Sequence, residues 1–280
     1  MFKNIDWQIT SKCNRSCKYC FGPKRCNEID FNSIKIIIDT LYTNGVEQIG
    51  ITGGEPLLHN EFPEIVDYIY NKGISIYLST NCDYYNQYAD LIKNKVSIIG
   101  IPIDGSNSFK HDSIRGEGSF SSVVSVMEDI LNCDTNIRIK VGTVITNKNI
   151  SDLKNIECFL KRFDKKILFW KLYELIDYDR NFINVKDLVP NKNWLSKCKT
   201  LGEHIDKNKI IIDEKKIRSN SYLFIKPNAD VFIPILSDKI SYEKNIGNIL
   251  EDGYNTIIRR FQSIVNEKGY NEKFRFMKNV

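Results

Sequence analysis

Apolar and polar residues alternate in five short stretches between residues 5 and 146. Ile5, Trp7 and Ile9 alternate with Asp6, Gln8 and Thr10, and Ile49 and Ile51 with Gln48, Gly50 and Thr52. Ile74, Ile76 and Leu78 alternate with Ser75, Tyr77 and Ser79, and Ile99, Ile101 and Ile103 with Gly100, Pro102 and Asp104. Ile139, Val141, Thr143 and Ile145 alternate with Arg138, Lys140, Gly142 and Thr146. Successive strand residues point to opposite faces, so each stretch predicts a strand with one apolar and one polar face. These strands fall at 5–10, 46–52, 74–79, 96–104 and 137–146; a sixth, at 167–175, has a less clear phase. Helical patterns lie between them, at about 31–44, 61–72, 84–94, 119–132 and 150–163.

Strands separated by helices argue for βαβ units and a parallel sheet. Right-handed crossovers wind such a sheet one way and let it curl, but six units fall short of the eight of a closed barrel. The expected fold is therefore α/β, a partial (β/α)6 TIM-like barrel over residues 1–176. Sheets buried on both faces read as continuous apolar runs. These strands carry a polar face instead, which predicts a lined lumen and a ligand inside it. After residue 176 the pattern changes to a helical stretch at 191–207, a hairpin turning at Pro227-Asn228-Ala229-Asp230, and a helix around 254–266. That predicts a small C-terminal extension, residues 177–280, capping the barrel.

The 280 residues, 42% of them hydrophobic, suffice for one large core with an appendage. No stretch approaches the ~20 apolar residues of a membrane span. The start of the chain is strand-like rather than a signal peptide, so a cytoplasmic protein is expected. There the eight cysteines stay reduced, and clustered ones read as metal ligands. The net charge of +5 is spread along the chain. It suits an acidic electron donor and gives no reason to expect nucleic acid.

Cys13, Cys17 and Cys20 are spaced C-x3-C-x2-C directly after the first strand. Thiolates at such local spacing are the usual ligands of iron–sulfur clusters. No fourth cysteine follows at a comparable spacing, so one iron of a [4Fe–4S] cube stays open for a non-protein ligand, as catalytic metal sites require. Structural zinc would want a fourth ligand nearby, and Cys26 lies six residues on. Cys26, Cys82, Cys133, Cys158 and Cys198 read as small apolar residues, and His59 and His111 as polar loop histidines.

With Tyr19 before the last cysteine, the motif resembles the signature of the radical S-adenosylmethionine (SAM) superfamily. That resemblance implies one [4Fe–4S] cluster on Cys13, Cys17 and Cys20, which are also the catalytic set. It further implies SAM chelated to the open iron and cleaved to methionine and a 5′-deoxyadenosyl radical. A flavodoxin- or ferredoxin-type protein is the implied electron source. Gly53-Gly54-Glu55-Pro56 follows the second strand. A glycine pair lets backbone approach a ligand, and proline suits the first turn of a helix. The run resembles the GGEP motif that holds the SAM amino group. Ser79 and Asn81 at the third strand end, Asp104 at the fourth and Arg115 in the following loop resemble further SAM contacts. Tyr19, Gly53 and Gly54 complete the expected cofactor-binding set.

Lys140 shares the lumen phase of the fifth strand, and Lys171 lies in the sixth. Each either meets a substrate phosphate or carboxylate, or snorkels to the barrel floor. Trp7-Gln8-Ile9-Thr10, Lys140, Trp170-Lys171-Leu172 and Ser221-Tyr222-Leu223 resemble viperin-type enzymes that dehydrate nucleoside triphosphates, although Gln48 and Phe169 are neutral where those are basic. The tail resembles a SPASM or twitch extension without its cysteines, so auxiliary clusters are not expected. The favoured substrate is small and anionic or nucleotide-like. Modification of a peptide or protein is the alternative, and a non-catalytic iron–sulfur electron carrier or scaffold is the alternative of another class.

Overall fold

The computed structural model describes residues 3–23, 25–176, 185–237 and 241–265. All six expected strands are present: β1 (Asn4–Thr10), β2 (Gln48–Gly53), β3 (Ser75–Ser79), β4 (Ile98–Pro102), β5 (Arg138–Ile145) and β6 (Ile167–Glu174). They lie side by side in chain order, each parallel to the next.

The helices α1 (Phe31–Thr43), α2 (Phe62–Asn71), α3 (Ala89–Lys95), α4 (Ser108–Arg115), α5 (Ser119–Asn132) and α6 (Leu153–Leu160) connect them. Helix α1 shows why. Asp30 accepts from the Ser33 amide at 2.8 Å as its N-cap, and Ile34, Ile37, Ile38 and Leu41 form its buried stripe. The apolar strand face packs beneath these helices, with Ile49, Ile76, Ile99, Ile139 and Trp170 in one continuous core.

Four elements differ from expectation. Residues 108–115 form α4 rather than a loop, because Asn107 caps the Lys110 amide at 3.1 Å. Helix α3 starts late, after a 3-10 turn at Tyr85–Gln87. The helix expected at 191–207 is confined to Trp194–Lys199 and is followed by Gly202 at φ +118°, a value no helix adopts. A further strand, β7 (Ile210–Asp213), pairs in parallel with β6.

The hairpin is present as β8 (Phe224–Ile225) and β9 (Asp230–Ile235), followed by β10 (Tyr242–Asn248). The last helix runs Tyr254–Gln262; residue 266 of the expected 254–266 lies outside the described residues. So do 177–184, 238–240 and 266–280 of the expected extension.

Strand β8 pairs in parallel with β1, so the sheet order is β10-β9-β8-β1-β2-β3-β4-β5-β6-β7. The segment after β6 thus lengthens the sheet at both edges. Tyr222, beside the β1 edge, nevertheless reaches Lys171 on β6 and Asp213 on β7, at 2.7 and 3.3 Å. Only a sheet curled into an open barrel brings its two ends so close.

Candidate active site

The barrel encloses a cavity of about 600 Å³, within the ~300–1,000 Å³ of small-molecule sites. Its wall is the polar strand face. Asp6, Gln8, Thr52, Tyr77, Ser79, Gly100, Pro102, Lys140 and Gly142 all line it, and Phe169, Lys171 and Tyr173 settle the phase of β6.

The three cysteines stand at this cavity as free thiols, Cys13 and Cys20 exposed and Cys17 half-buried. None of the other cysteines lines it. The Cys20 amide donates to the Cys17 carbonyl at 3.1 Å, closing a turn, and the Gly22 amide to Cys20 Sγ at 3.2 Å. Among the described residues no group of three His, Cys, Asp or Glu suits a single metal ion. Burial and the neighbouring thiolates push the Cys13 thiol up, a repulsion that iron ligation relieves.

The cysteine loop is stitched to the glycine motif. The Gly54 amide donates to Thr10 O and the Glu55 amide to Lys12 O, both at 2.8 Å. Gly53 has φ +149°, and a Cβ on it would stand 2.4 Å from Thr10 O; one on Gly54 would stand 2.2 Å from Lys12 O. Only glycine fits either place. Arg15 holds the loop from the other side through a two-pronged ion pair with Asp83, both contacts at 2.6 Å. Asn14 joins it, donating to Asp83 and accepting from Asn81 at 2.8 Å. Arg15 and Asp83 were not among the expected site residues. Their pairing spans two loops and leaves no local signal.

The expected SAM residues divide into two groups. Tyr19, Gly53, Gly54, Ser79, Asn81 and Arg115 line the cavity. Glu55 and Asp104 are fully buried behind it. The Glu55 carboxylate accepts from Thr80 Oγ1 and the Asn81 amide, each at 2.7 Å, and from the Leu57 amide at 3.2 Å. Asp104 accepts from the Tyr19 hydroxyl, from Arg115 Nε at 2.5 Å and from the Val144 amide at 2.8 Å. Arg115 in turn lies 5.6 Å over the Tyr19 ring. His111 is buried, not a polar loop residue. Its Nδ1 accepts from the Asp104 amide at 3.2 Å, which leaves Nε2 to donate to Ser119 Oγ at 3.1 Å. Burial pushes His111 down to about 4. His59 is buried too.

Burial pushes Glu55 up from 4.5 to about 7 against its three hydrogen bonds. The folded chain therefore holds that proton more tightly than the unfolded chain. The stability it contributes is full below pH 4.5 and is lost as pH rises towards about 7. At about 1.4 kcal/mol per unit the loss is roughly 3 kcal/mol. Glu55→Gln should flatten this slope. Thermal melts of apoprotein at pH 5 and pH 8 test it, and equal slopes in both proteins refute it.

Lys140 and Lys171 both line the cavity. Lys140 Nζ donates to the Tyr77 hydroxyl at 2.8 Å. A Cβ on Gly100 would stand 2.3 Å from that hydroxyl, so glycine makes the room. Lys171 already has a carboxylate, Asp213 Oδ2 at 2.9 Å, besides the Tyr222 hydroxyl.

A curled parallel barrel with three unpaired thiols where β1 opens into the cavity defines an iron–sulfur enzyme scaffold. A model of the radical SAM superfamily matches residues 7–159, and the chain belongs to that superfamily. It is a radical SAM enzyme, of a family that uses a [4Fe–4S] cluster and SAM. An S-adenosylmethionine-dependent nucleotide dehydratase of Selenomonas ruminantium is 28% identical, over 93% of this chain and 95% of that protein. The subtilosin biosynthesis protein AlbA of Bacillus subtilis strain 168 is 26% identical over 90% of this chain, which spans only 58% of AlbA. The structure of native anSMEcpe with bound AdoMet and Cp18Cys peptide superposes with a TM-score of 0.71 at 16% identity, over 95% of this chain and 83% of that one. It shares the fold. Among the described residues no helix is long and apolar enough to cross a membrane.

Proposed function

We propose that this enzyme cleaves SAM reductively and takes a hydrogen atom from a small anionic, nucleotide-like substrate. The observation that carries the substrate is Lys140. It is a cation in the cavity wall whose hydrogen-bond partner is a neutral hydroxyl, and no ion pair joins it to a carboxylate among the described residues. Lys140 is half-buried in the cavity wall; a cation partly withdrawn from water is stabilised by a counter-charge, and a substrate phosphate supplies one. The match to the nucleotide dehydratase over nearly its whole length supports the same reading.

Cys13, Cys17 and Cys20 would hold the cluster, which when bound would supply the electron for splitting SAM into methionine and a 5′-deoxyadenosyl radical. The backbone of Gly53 and Gly54 would border the SAM ammonium, and Arg115 would meet the carboxylate through its guanidinium. Ser79 and Asn81 add polar contacts from the end of β3. Glu55 and Asp104 are positioning residues: one fixes the Thr80–Asn81 turn, the other fixes Arg115 and Tyr19. The exposed loop carrying Lys12 and Lys18 receives the acidic electron donor.

The test titrates the four ribonucleoside triphosphates, and separately a peptide panel, into reconstituted enzyme with SAM and dithionite. A triphosphate should accelerate 5′-deoxyadenosine release. Lys140→Met should weaken that response ten- to a hundredfold, roughly the worth of one charge-assisted contact. Stimulation by a peptide and by no triphosphate would replace this reading with peptide modification.

A further inference from the structure

Around Tyr173 the lumen wall gathers more positive charge than its own side chains cancel. Three cations surround the Tyr173 ring: Lys140 Nζ at 5.8 Å from its centroid, Lys171 Nζ at 5.2 Å and the Arg218 guanidinium at 5.3 Å. Lys171 is neutralised by Asp213. Arg218 is not paired with a carboxylate among the described residues. Its Nη2 donates to the Glu174 carbonyl at 2.6 Å, and its Nε is buried with no hydrogen-bond partner. The Glu174 carboxylate is taken by the Lys215 amide at 2.7 Å, with Lys215 Nζ at 3.8 Å. Asp6 also lines the cavity, at Gly50 beside the edge of Tyr77. Glu174 lines the cavity as well, with Lys215 as its ion-pair partner; with that pair counted, Lys140, Lys171, Arg218 and Lys215 face three carboxylates, Asp6, Glu174 and Asp213.

A buried, unpaired Nε on a half-buried guanidinium and a charge surplus in one pocket are both costly without a ligand. We infer that Arg218 and Lys140 together seat a polyanionic group, a di- or triphosphate chain, against Tyr173. Lys171 serves a different purpose. With Asp213 and Tyr222 it ties the two ends of the curled sheet together. The inference rests on the anionic-substrate reading and adds to it a residue from outside the β1–β6 barrel. The guanidinium fork suits a phosphate better than an ammonium does. No local pattern singles out Arg218, in the short helix Lys215–Arg218 that follows β7. It enters the pocket because β7 lies beside β6.

The experiment is calorimetric binding of inorganic triphosphate and of the four ribonucleoside triphosphates to reconstituted, SAM-loaded enzyme. Inorganic triphosphate should compete with the nucleotide. Arg218→Gln should weaken both by about ten- to a hundredfold, and Arg218→Lys by less. Lys171→Met should act chiefly by lowering the melting temperature. If Arg218→Gln fails to fold, Arg218→Lys still reports the lost fork. Equal triphosphate affinity in wild type and both Arg218 variants overturns the seat and leaves the anionic-substrate reading intact. Binding of no triphosphate to wild type overturns both.

Discussion

Reconstituted under reducing, anaerobic conditions, the protein is expected to hold about four irons, one cube's worth, and to convert SAM to 5′-deoxyadenosine under dithionite. Cys13→Ala, Cys17→Ala and Cys20→Ala should each abolish the conversion, because on the proposed reading each thiol serves one iron. Cys26 is the nearest other cysteine in the chain, yet it does not line the cavity. Cys82 is buried, and burial raises its thiol well above its ordinary range. The triple variant should therefore show no cubane signal by electron paramagnetic resonance. A residual [4Fe–4S] spectrum would locate a second site among the scattered cysteines. Turnover by the triple variant would end the assignment, and SAM binding without cleavage in wild type would favour the non-catalytic alternative.

Asp104→Ala should be the most damaging substitution outside the cluster loop. The Asp104 side chain is 0% exposed, and Arg115, its ion-pair partner, is 15% exposed. Removing one member of a buried pair leaves the other charge uncompensated, a loss of about 3–5 kcal/mol. The Tyr19 hydroxyl and the Val144 amide lose their acceptor as well. For a domain of this size the melting temperature should fall by roughly 5–15 °C. Asp104→Asn keeps an acceptor for Val144 but not the charge, and should fall between the two. Because Asp104 orients Arg115 and Tyr19, SAM affinity should weaken along with stability. Isothermal titration of SAM into each variant below its melting point separates the two effects. A destabilised variant with unchanged SAM affinity would reduce Asp104 to a structural role.

The barrel was legible in the chain because its lumen is polar. Period-two alternation in β1 to β5 marks both the strand and the face it turns to the cavity, as Lys140 and Gly142 show. A packed lumen would have hidden the phase. Helix α4 was not legible: its Asn107 cap lies in a polar stretch, and its apolar periodicity is weak. Strand β7 was missed because Ile210-Ile211-Ile212 is a run without alternation. Its neighbour β6 supplies the pairing that makes it a strand.

Residue spacing carried the resemblance from which the cofactor chemistry was read. Three thiols within eight residues, and a glycine pair after the second strand, are local facts that hold however the chain bends. Tertiary structure alone decided which charges remain available. Lys171 and Asp213 are 42 residues apart by number, Lys171 and Tyr222 are 51 apart, and neither separation carries a local signal. Lys171 and Asp213 meet because β7 pairs with β6, and Tyr222 reaches both because the sheet twists and curls until its sides approach. The same curvature put Glu55 and Asp104 behind the cavity wall and Arg218 within it. Short-range spacing can specify a ligand set, but a long-range counter-charge depends on where the sheet ends.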